Sequence, residues 1–481
     1  MIPIRKIKNT LGLMLLILLC GACEDWLSVS PKSQVKYDDL FSSENGFKDE
    51  LTGIYTALCK AGMYGANLTF GAMDALGQQY DLGYWQRDNK YYRLRRFEYE
   101  DAGSKAVSDE IWGRMYNTVT NINILLKGLE EHAGVLSERD EKIYKGEALG
   151  LRAFLHFDLL RIFGPSWLSG AKEPAIPYVK VISKLVPPLS DVDGVLEQAI
   201  NDLETAAELL ENDPMKTGEA TTSMLGTRVF RFNYYAVRAL LSRVYLYRND
   251  RTNALKNALE VIGAEKFPWV AREQVTAGTR EKRDGIFVTE CIFMLNNTLL
   301  TDLSNEYLRP DMWDASQANV CPMSKTVRDE IFEKDVYGTL DWRYTYYFEE
   351  IDGSCYSSKL WQFKYGPDGF KNRQPLLRIS EMYLIAAECA SVLADGVDYF
   401  NTFRSHRGFT GDMDLKKDIS EGALRLEISK EYRKEFICEG QWFFYCKRLD
   451  REDIPDVELP FNKGYYRLPL PDIEIEYGKR N

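Results

Sequence analysis

Two stretches of the sequence mix aromatic and polar side chains in a way that is typical of a binding surface. The first runs from Met73 to Phe97 and lacks helical periodicity, and its central part mixes Tyr and Trp with Gln, Asp and Asn. The second runs from about Lys266 to Arg373 and is rich in Gly, Pro, Asn and Asp as well as aromatics. Long loops inside a compact protein are usually functional or disordered, and the aromatic content argues against disorder. Both stretches are therefore candidate functional regions.

No motif for catalysis or metal binding stands out. The three histidines are widely separated, and His156 lies in an apolar helical pattern, where a packed histidine is more common than a ligand. HExxH, Walker A and GxSxG motifs are absent from the sequence. Carboxylates are abundant, so a glycosidase acid/base pair stays open, but no two of them are marked out by spacing. The sequence predicts a protein that is not an enzyme, with no metal site and no cofactor.

The net charge and the cysteine content further narrow the possible functional classes of this protein. The formal net charge of −11 argues against a nucleic-acid partner, because phosphate binding needs clustered Lys and Arg. Seven cysteines follow Cys20 and Cys23 without metal-ligand spacing, and an odd number leaves at least one thiol unpaired if the others form disulfides. Cys389 lies in a helical pattern and is predicted to be a core residue.

The N-terminus has the pattern of an export signal. Basic residues precede the apolar run Leu11 to Leu19, which at roughly ten residues is much shorter than the ~20 that span a bilayer. Gly21, Ala22 and Cys23 then resemble the lipobox of bacterial lipoproteins. We predict a signal peptide over residues 1–22, lipidation at Cys23 and a lipidated tether over residues 23–36. The acidic residues that follow Cys23 resemble the surface-export signal of Bacteroidetes lipoproteins.

Helical spacing dominates most of the remaining chain. The most apolar segment, Gly146 to Trp167, is apolar over more than one face and must lie between other helices, and Gly164-Pro165 is predicted to end it. Ser190 or Asp191 is predicted to cap the helix that starts near Val195. The other predicted helices are Phe47 to Leu58, Asp109 to Leu129, Val195 to Leu210, Tyr234 to Tyr247, Leu376 to Ala390 and Leu424 to Phe436.

One helical pair resembles a tetratricopeptide hairpin. The helix Tyr234 to Tyr247 is followed by a short turn and a second helix, in which Ala254 and Ala258 permit close contact. A regular set of repeats is not found, and long insertions separate the pairs. The predicted fold is mostly α, with tetratricopeptide-like pairs and long aromatic-rich loop insertions. It comprises an N-terminal helical half (37–265), an aromatic-rich loop region (266–375) and a C-terminal helical part of the same domain (376–481).

Several segments together resemble the SusD/RagB-like family, the surface nutrient-binding lipoproteins of Bacteroidetes. The likeness starts with EDWLSVSPKSQV after the lipobox and extends over nearly the whole mature chain. The other segments, in the order that the family shows, are GEALGLRAFLHFDLLRIFGP, YYAVRALLSRVYLYRND, QPLLRISEMYLIAAECA, EISKEYRKEFICEGQWFFYCKRLD and YYRLPLPDIEIE.

This resemblance implies a SusD-like fold and a role in nutrient capture. In the family, the helical scaffold packs against a SusC-like TonB-dependent transporter and acts as a lid, while loops on the exposed side hold oligosaccharide. The protein is then expected to be lipid-anchored in the outer membrane and exposed at the cell surface. Its expected ligand is an oligosaccharide or polysaccharide, which it delivers to the transporter. Sugar rings stack on Trp and Tyr, and their hydroxyls need polar partners, which fits the two aromatic stretches.

The candidate glycan-binding residues come from these two stretches and are not carried over from a family motif. Each is weighed against a role in loop packing, and Trp85 and Trp313 are the strongest of the set. The candidates are Tyr80, Tyr84, Trp85, Asp88 and Asn89 in the first stretch and Tyr307, Arg309 and Trp313 in the second. The charged residues Glu431, Arg433, Glu435, Glu439 and Arg448 are instead predicted to form internal salt bridges.

Two alternatives belong to other classes. A surface lipoprotein of the same transporter-lid type could bind peptides, and a cleft without a surface-facing Trp or Tyr platform would favour that role. A glycoside hydrolase would need a carboxylate pair ~5–9.5 Å apart in the aromatic cleft.

Overall fold

The computed structural model describes residues 37–83, 86–310 and 317–478. The predicted signal peptide and the whole predicted tether (23–36), with the predicted lipidation site Cys23, lie outside these ranges, as do Tyr84, Trp85 and Trp313. In the described ranges, no helix combines the length and apolar character needed to cross a membrane.

The fold is mostly helical, as predicted. The helices of eight or more residues in the described ranges are α1 (Glu44–Leu58), α2 (Ala102–Glu131), α3 (Glu138–Phe163), α4 (Val192–Leu209), α5 (Tyr234–Tyr247), α6 (Arg251–Gly263), α7 (Leu300–Tyr307), α8 (Ile379–Cys389), α9 (Leu393–Ser405), α10 (Glu421–Glu435) and α11 (Gln441–Arg448). Shorter α-helices are Tyr37–Leu40, Ala72–Leu76, Tyr92–Arg95, Trp167–Gly170, Pro214–Thr217, Arg272–Val275, Lys325–Ile331, Lys334–Tyr337, Trp342–Tyr346 and Asp472–Gly478.

The long helices pack in succession. Contacts run from α1 to α2, α3, α4, α5 and α6 in chain order, and then from α6 to α8 and α9, so α7 is outside the series. Helix α3 is buried over most of its circumference, which agrees with its apolar pattern, and its last residue, Phe163, precedes the predicted stop at Gly164. Asp191 caps α4, with its side chain accepting a hydrogen bond from the Gly194 N–H, as one of the two predicted caps.

Three two-stranded antiparallel sheets complete the fold. They pair β1 (Pro174–Ile176) with β2 (Ser190–Asp191), β3 (Cys291–Asn296) with β6 (Arg373–Arg378), and β4 (Phe348–Ile351) with β5 (Ser354–Ser357). The prediction of a helix from Leu376 is wrong at its start. Leu376 lies within β6, whose neighbouring residue Leu377 is opposite Phe293 of β3, and the helix begins only at Ile379. Strand pairing across ~80 residues overrides the local apolar pattern at this point.

A buried cluster of ion pairs joins the loop region to α10. Glu435 accepts hydrogen bonds from the guanidinium groups of Arg343, Arg378 and Arg407, which come from three separate segments. Glu431 accepts from Arg343, and Glu439 accepts from Arg378 and Lys359. The carboxylates predicted to form internal salt bridges do so, as do Arg433 and Arg448, which pair with Asp456 and Glu388. The ion pairs of Arg343 and Lys359 with Glu431, Glu435 and Glu439 hold the loop region in place on the helical part.

Candidate functional site

The two aromatic-rich stretches lie against each other in the structure. The Asp81 N–H donates to the Pro322 carbonyl over 2.8 Å, and the Asn89 amide donates to the Val320 carbonyl over 3.2 Å. The Lys90 N–H donates to Asn319 Oδ1 over 3.2 Å. We call this region the junction, defined as residues 78–83 and 86–92 together with 305–310 and 317–322. It joins segments more than 200 residues apart.

Aromatic packing beneath the surface holds the junction together. The rings of Tyr91 and Tyr307 are 5.7 Å apart between centroids, and those of Phe70 and Tyr307 are 6.1 Å apart. The Tyr91 hydroxyl donates to Asn67 Oδ1 over 2.8 Å, which anchors its polar end in the interior. Tyr307 is the last residue of α7, so this helix fixes the position of the second stretch.

Three of the candidate binding residues are interior residues. Tyr80, Asn89 and Tyr307 are each at most 4% exposed. The Tyr80 hydroxyl donates to the Phe70 carbonyl over 2.5 Å, and Asn89 Oδ1 accepts from the Tyr91 N–H over 2.8 Å. Side chains buried in this way offer no face on which a sugar ring could stack. Their observed contacts position the junction from within.

Two other candidates lie at the surface of the junction. Asp88 is exposed, and Arg309 is half-buried. Arg309 Nη1 donates to the Gln362 carbonyl over 3.3 Å, and its guanidinium lies 5.1 Å from the ring centroid of Trp361. The structure therefore connects Arg309 to a further part of the loop region.

A cleft adjoining Trp361 was not among the predicted sites. It encloses about 520 Å³ of space open to solvent. Its walls combine aromatic rings with basic and amide groups, including Arg280, Arg283, Tyr346, Trp361, Gln362 and Phe363. The arginines lie over the rings, with the Arg280 guanidinium 4.7 Å from the Trp361 centroid and that of Arg283 5.1 Å from the Tyr346 centroid. We call this the Trp361 cleft.

The Trp361 cleft was visible in the sequence only as aromatic content. Trp361 is 5% exposed and its indole donates to the Leu308 carbonyl over 3.0 Å, so the ring is a wall support and not an open platform. Tyr365, on the adjoining loop, is 87% exposed. Only the folded chain brings Arg280 and Arg309 to the same indole ring, because they belong to separate segments.

Asp74 and Asp284, two buried carboxyl groups with raised pKa values, do not form a hydrolytic pair. Burial raises the pKa of Asp74 to about 7 and that of Asp284 to about 6. Asp74 accepts hydrogen bonds from the Cys438 and Gly440 N–H groups, and Asp284 accepts from those of Ile286 and Val288. Both side chains are at most 1% exposed, so neither can reach a glycosidic bond. They act as buried acceptors for loop backbone.

His156 and the cysteine side chains in the described ranges have structural roles. His156 is fully buried, with Nδ1 2.8 Å from the Arg152 carbonyl oxygen and Nε2 accepting from the Val179 N–H, and burial lowers its pKa to about 3. The prediction of a packed histidine is confirmed. All seven cysteines after Cys23 are free thiols in the interior, including Cys389. No group of three or more His, Cys, Asp or Glu side chains in these ranges could hold a metal ion.

Comparison with family models places most of the chain in one family. Residues 25–246 match a SusD-like model described as starch-binding and associating with the outer membrane. Residues 355–467 match the SusD family model. The two matched segments together span more than half of the chain and include α1 to α4, all but the last residue of α5, and α8 to α11.

Individual relatives agree with these matches. SusD-like protein P25 of Formosa agariphila is 20% identical, with 98% of this chain and 97% of the relative aligned. A SusD superfamily protein from Bacteroides thetaiotaomicron has a TM-score of 0.71 at 22% identity, covering 90% of this chain and 98% of the other. A putative sugar-binding protein from Bacteroides vulgatus has a TM-score of 0.69 at 23% identity, covering 90% and 96%. These structures establish a shared fold.

Proposed function

This chain belongs to the SusD/RagB family, and from that premise we propose that it captures glycans at the cell surface and delivers them to a SusC-like TonB-dependent transporter. Proteins of this family bind without catalysing a reaction. Carbohydrate binding and association with the outer membrane follow from membership. The type of glycan and the transporter partner belong to the proposal.

The junction is the observation that carries the glycan proposal. Two aromatic-rich stretches meet there through the bonds from Asn89 to Val320 and from Lys90 to Asn319. Aromatic faces beside amide, carboxylate and guanidinium groups are what a sugar-binding surface requires. Asp88 and Arg309 supply the polar groups at this surface. Tyr84, Trp85 and Trp313 complete the proposed platform, with Trp85 next to Gln86 of the junction and Trp313 three residues after Pro310.

The first test is a glycan-binding screen of the mature protein, starting after Cys23. Native affinity electrophoresis against plant, microbial and host polysaccharides measures retardation of the wild type and of the variants Trp85→Ala and Trp313→Ala. We expect retardation by one glycan class, reduced at least tenfold in apparent affinity in both variants, since stacking on an aromatic ring contributes a large share of such binding. Circular dichroism and thermal unfolding verify that each variant is folded.

A matched control separates the platform from a general loss of aromatic surface. Tyr477 is 68% exposed in the closing helix Asp472–Gly478, and Tyr477→Ala is expected to bind as the wild type does. Equal losses in all three variants would contradict the proposed platform. If no glycan retards the folded wild type while a peptide library binds it, the peptide-capture alternative replaces the glycan proposal.

The membrane arrangement is proposed from the N-terminal sequence and the family. Lipidation at Cys23 would anchor the protein in the outer membrane, and residues up to 36 would tether the folded part to the lipid. We expect Cys23→Ser to move the protein from the outer-membrane fraction to the soluble fraction in its native host. Co-purification with a TonB-dependent transporter from detergent-solubilised membranes tests the partner. A wild type that fractionates as soluble would contradict the anchor.

A further inference from the structure

A second cleft, distinct from the junction, lies where α1 meets the end of β3. It opens to solvent, encloses about 1040 Å³ of space and is lined by Tyr55, Lys60, Phe230, Arg231 and Asn296 among others. We call it the Tyr55 cleft. Leu299, also in its wall, directly precedes α7, whose other end is Tyr307 of the junction. Because a helix rises about 1.5 Å per residue, the eight residues of α7 separate the cleft from the junction by about 12 Å.

Lys60 and Arg231 line the Tyr55 cleft although the whole chain is acidic, and Arg373 lies against two of its wall residues. The Arg373 guanidinium lies 4.3 Å from the Phe230 ring centroid, and its Nη1 donates to Asn296 Oδ1 over 3.0 Å. Burial lowers the pKa of Arg373, and no carboxylate offsets this effect. Lys60 is exposed at the rim. Among the described residues, neither cation takes part in an ion pair.

Arg231 lies deeper in the Tyr55 cleft than Lys60, and one of its guanidinium nitrogens has no hydrogen-bond acceptor among the described residues. Its guanidinium lies 4.9 Å from the Tyr55 ring centroid, and Nη1 is 3.6 Å from Glu147 Oε1, too far for a hydrogen bond. That buried Nη1 has no hydrogen-bond partner in the described part of the chain. Both oxygens of Glu147 already accept bonds, from the Tyr55 hydroxyl over 2.5 Å and from Arg228 Nη1 over 3.0 Å.

The ion pairs around the Tyr55 cleft leave it with an excess of positive charge. Glu147 and Asp213 balance Arg228 and Arg231, because Arg228 pairs with both carboxylates and Arg231 lies beside Glu147. Lys60 and Arg373 have no ion pair with these carboxylates or with other described residues. Guanidinium groups bind planar or tetrahedral oxyanions through directed N–H bonds, and the half-buried Arg373 carries such a group beside the cleft wall. Exposed Thr227 and Thr298 in the walls supply hydroxyls suited to a polyhydroxylated ligand.

We propose that the Tyr55 cleft binds the carboxylate or sulfate group of an acidic saccharide. The inference rests on the proposed glycan-capture function and deepens it, since it assigns a charge class to the ligand and a second contact to the glycan chain. The short separation along α7 allows one oligosaccharide to contact both the junction and the cleft. Neutral glycans lack the oxyanion and cannot pair with the cations of the cleft.

Isothermal titration calorimetry of the mature protein tests the inference with three tetrasaccharides: tetragalacturonate, neocarratetraose sulfate and neutral maltotetraose. We expect at least one acidic probe to bind at least tenfold more tightly than the neutral one at low ionic strength. Added salt should reduce this advantage, because it screens exposed charges. Arg373→Gln and Lys60→Gln should each lower the affinity for the acidic probe about three- to tenfold and leave neutral binding unchanged.

Two further variants give matched controls. Arg373→Lys keeps the charge and should retain part of the acidic preference, whereas Arg425→Gln removes an exposed arginine of α10 and should have no effect. Lys60 is exposed, so a folding defect cannot account for its effect. Inorganic sulfate at matched ionic strength distinguishes a site for the free anion from a saccharide site.

These measurements distinguish binding at the Tyr55 cleft from binding at the proposed platform of Tyr84, Trp85 and Trp313. Equal affinity for acidic and neutral probes, absence of acidic binding, or binding of inorganic sulfate as tight as that of the acidic probe would overturn the cleft inference and leave neutral binding at the junction standing. Acidic binding that is lost in Arg373→Gln and Lys60→Gln but kept in Trp85→Ala and Trp313→Ala would support the cleft and contradict the platform. Loss of acidic binding in both pairs of variants supports a single glycan that contacts both the Tyr55 cleft and the junction.

Discussion

Arg407 and Glu435 form a bidentate ion pair in the interior, with Arg407 Nη2 2.7 Å from Glu435 Oε1 and Arg407 Nε 2.8 Å from Oε2. Both side chains are completely buried. Arg407 also donates to both oxygens of Glu290, which directly precedes β3. The pair thus connects the segment after α9, the helix α10 and the start of the β3–β6 sheet. Its position explains how long loops maintain one arrangement on a helical scaffold.

Replacing Glu435 tests this role directly. Glu435→Gln leaves the buried guanidinium groups of Arg343, Arg378 and Arg407 without their shared counter-charge. We expect the free energy of unfolding to fall by about 3–5 kcal/mol, the usual cost of breaking a buried ion pair on one side. Urea denaturation followed by circular dichroism measures the change. Glu421→Gln, at the exposed first residue of α10, should change it by less than ~0.5 kcal/mol, and a similar small effect for Glu435→Gln would refute the role of the cluster.

The same cluster predicts a pH dependence. Burial opposes ionisation of Glu431, but the charges of Lys434 and Arg343 outweigh it and lower the pKa of this carboxyl below its usual 4.5. A lowered folded pKa contributes stability above pH 4.5, and this contribution is lost as the pH falls below that value. The stability of Glu431→Gln should therefore change less than that of the wild type between pH 5 and pH 3. Parallel stability profiles over this interval would contradict the prediction.

Tyr80 and Asp88 should respond in opposite ways to substitution. Tyr80→Phe removes the hydrogen bond to the Phe70 carbonyl in the interior, so we expect a loss of about 1–3 kcal/mol in stability with glycan affinity kept by the folded protein. Asp88→Ala, at the surface of the junction, should leave stability within ~0.5 kcal/mol and lower glycan affinity severalfold. Thermal unfolding and affinity electrophoresis on both variants check this. The reverse pattern would show that the binding surface is elsewhere.

Thiol titration tests the buried cysteines. Burial raises the pKa of Cys59, Cys389, Cys438 and Cys446 to about 12, which keeps these thiols protonated and unreactive. For the mature chain that starts after Cys23, we expect less than one thiol to react with Ellman's reagent in the native state and seven to react in guanidinium chloride. A total below seven under denaturing conditions would indicate disulfides and contradict the structure.

The long helices were predictable from the sequence because helix formation depends on local periodicity. The bounds of α5 agree with the predicted Tyr234 to Tyr247, and Asp191 caps α4 as its side chain suggested. The same reasoning missed the strand at Leu376, where an apolar run is compatible with either a helix or a buried strand. Pairing with β3 decides between them, and β3 is about 80 residues away.

The candidate binding surface shows the same division between features that are local in the sequence and features that depend on the tertiary structure. The sequence by itself determined the family, the helical scaffold and the two aromatic-rich stretches, because composition, periodicity and segment order are all readable along the chain. Only the tertiary structure decided that Tyr80 and Tyr307 are interior residues and that Asp88 is at the surface. It also decided that Arg373 lies on Phe230, a wall residue of the Tyr55 cleft. Burial and charge pairing arise from residues distant in the chain, so no local pattern encodes them.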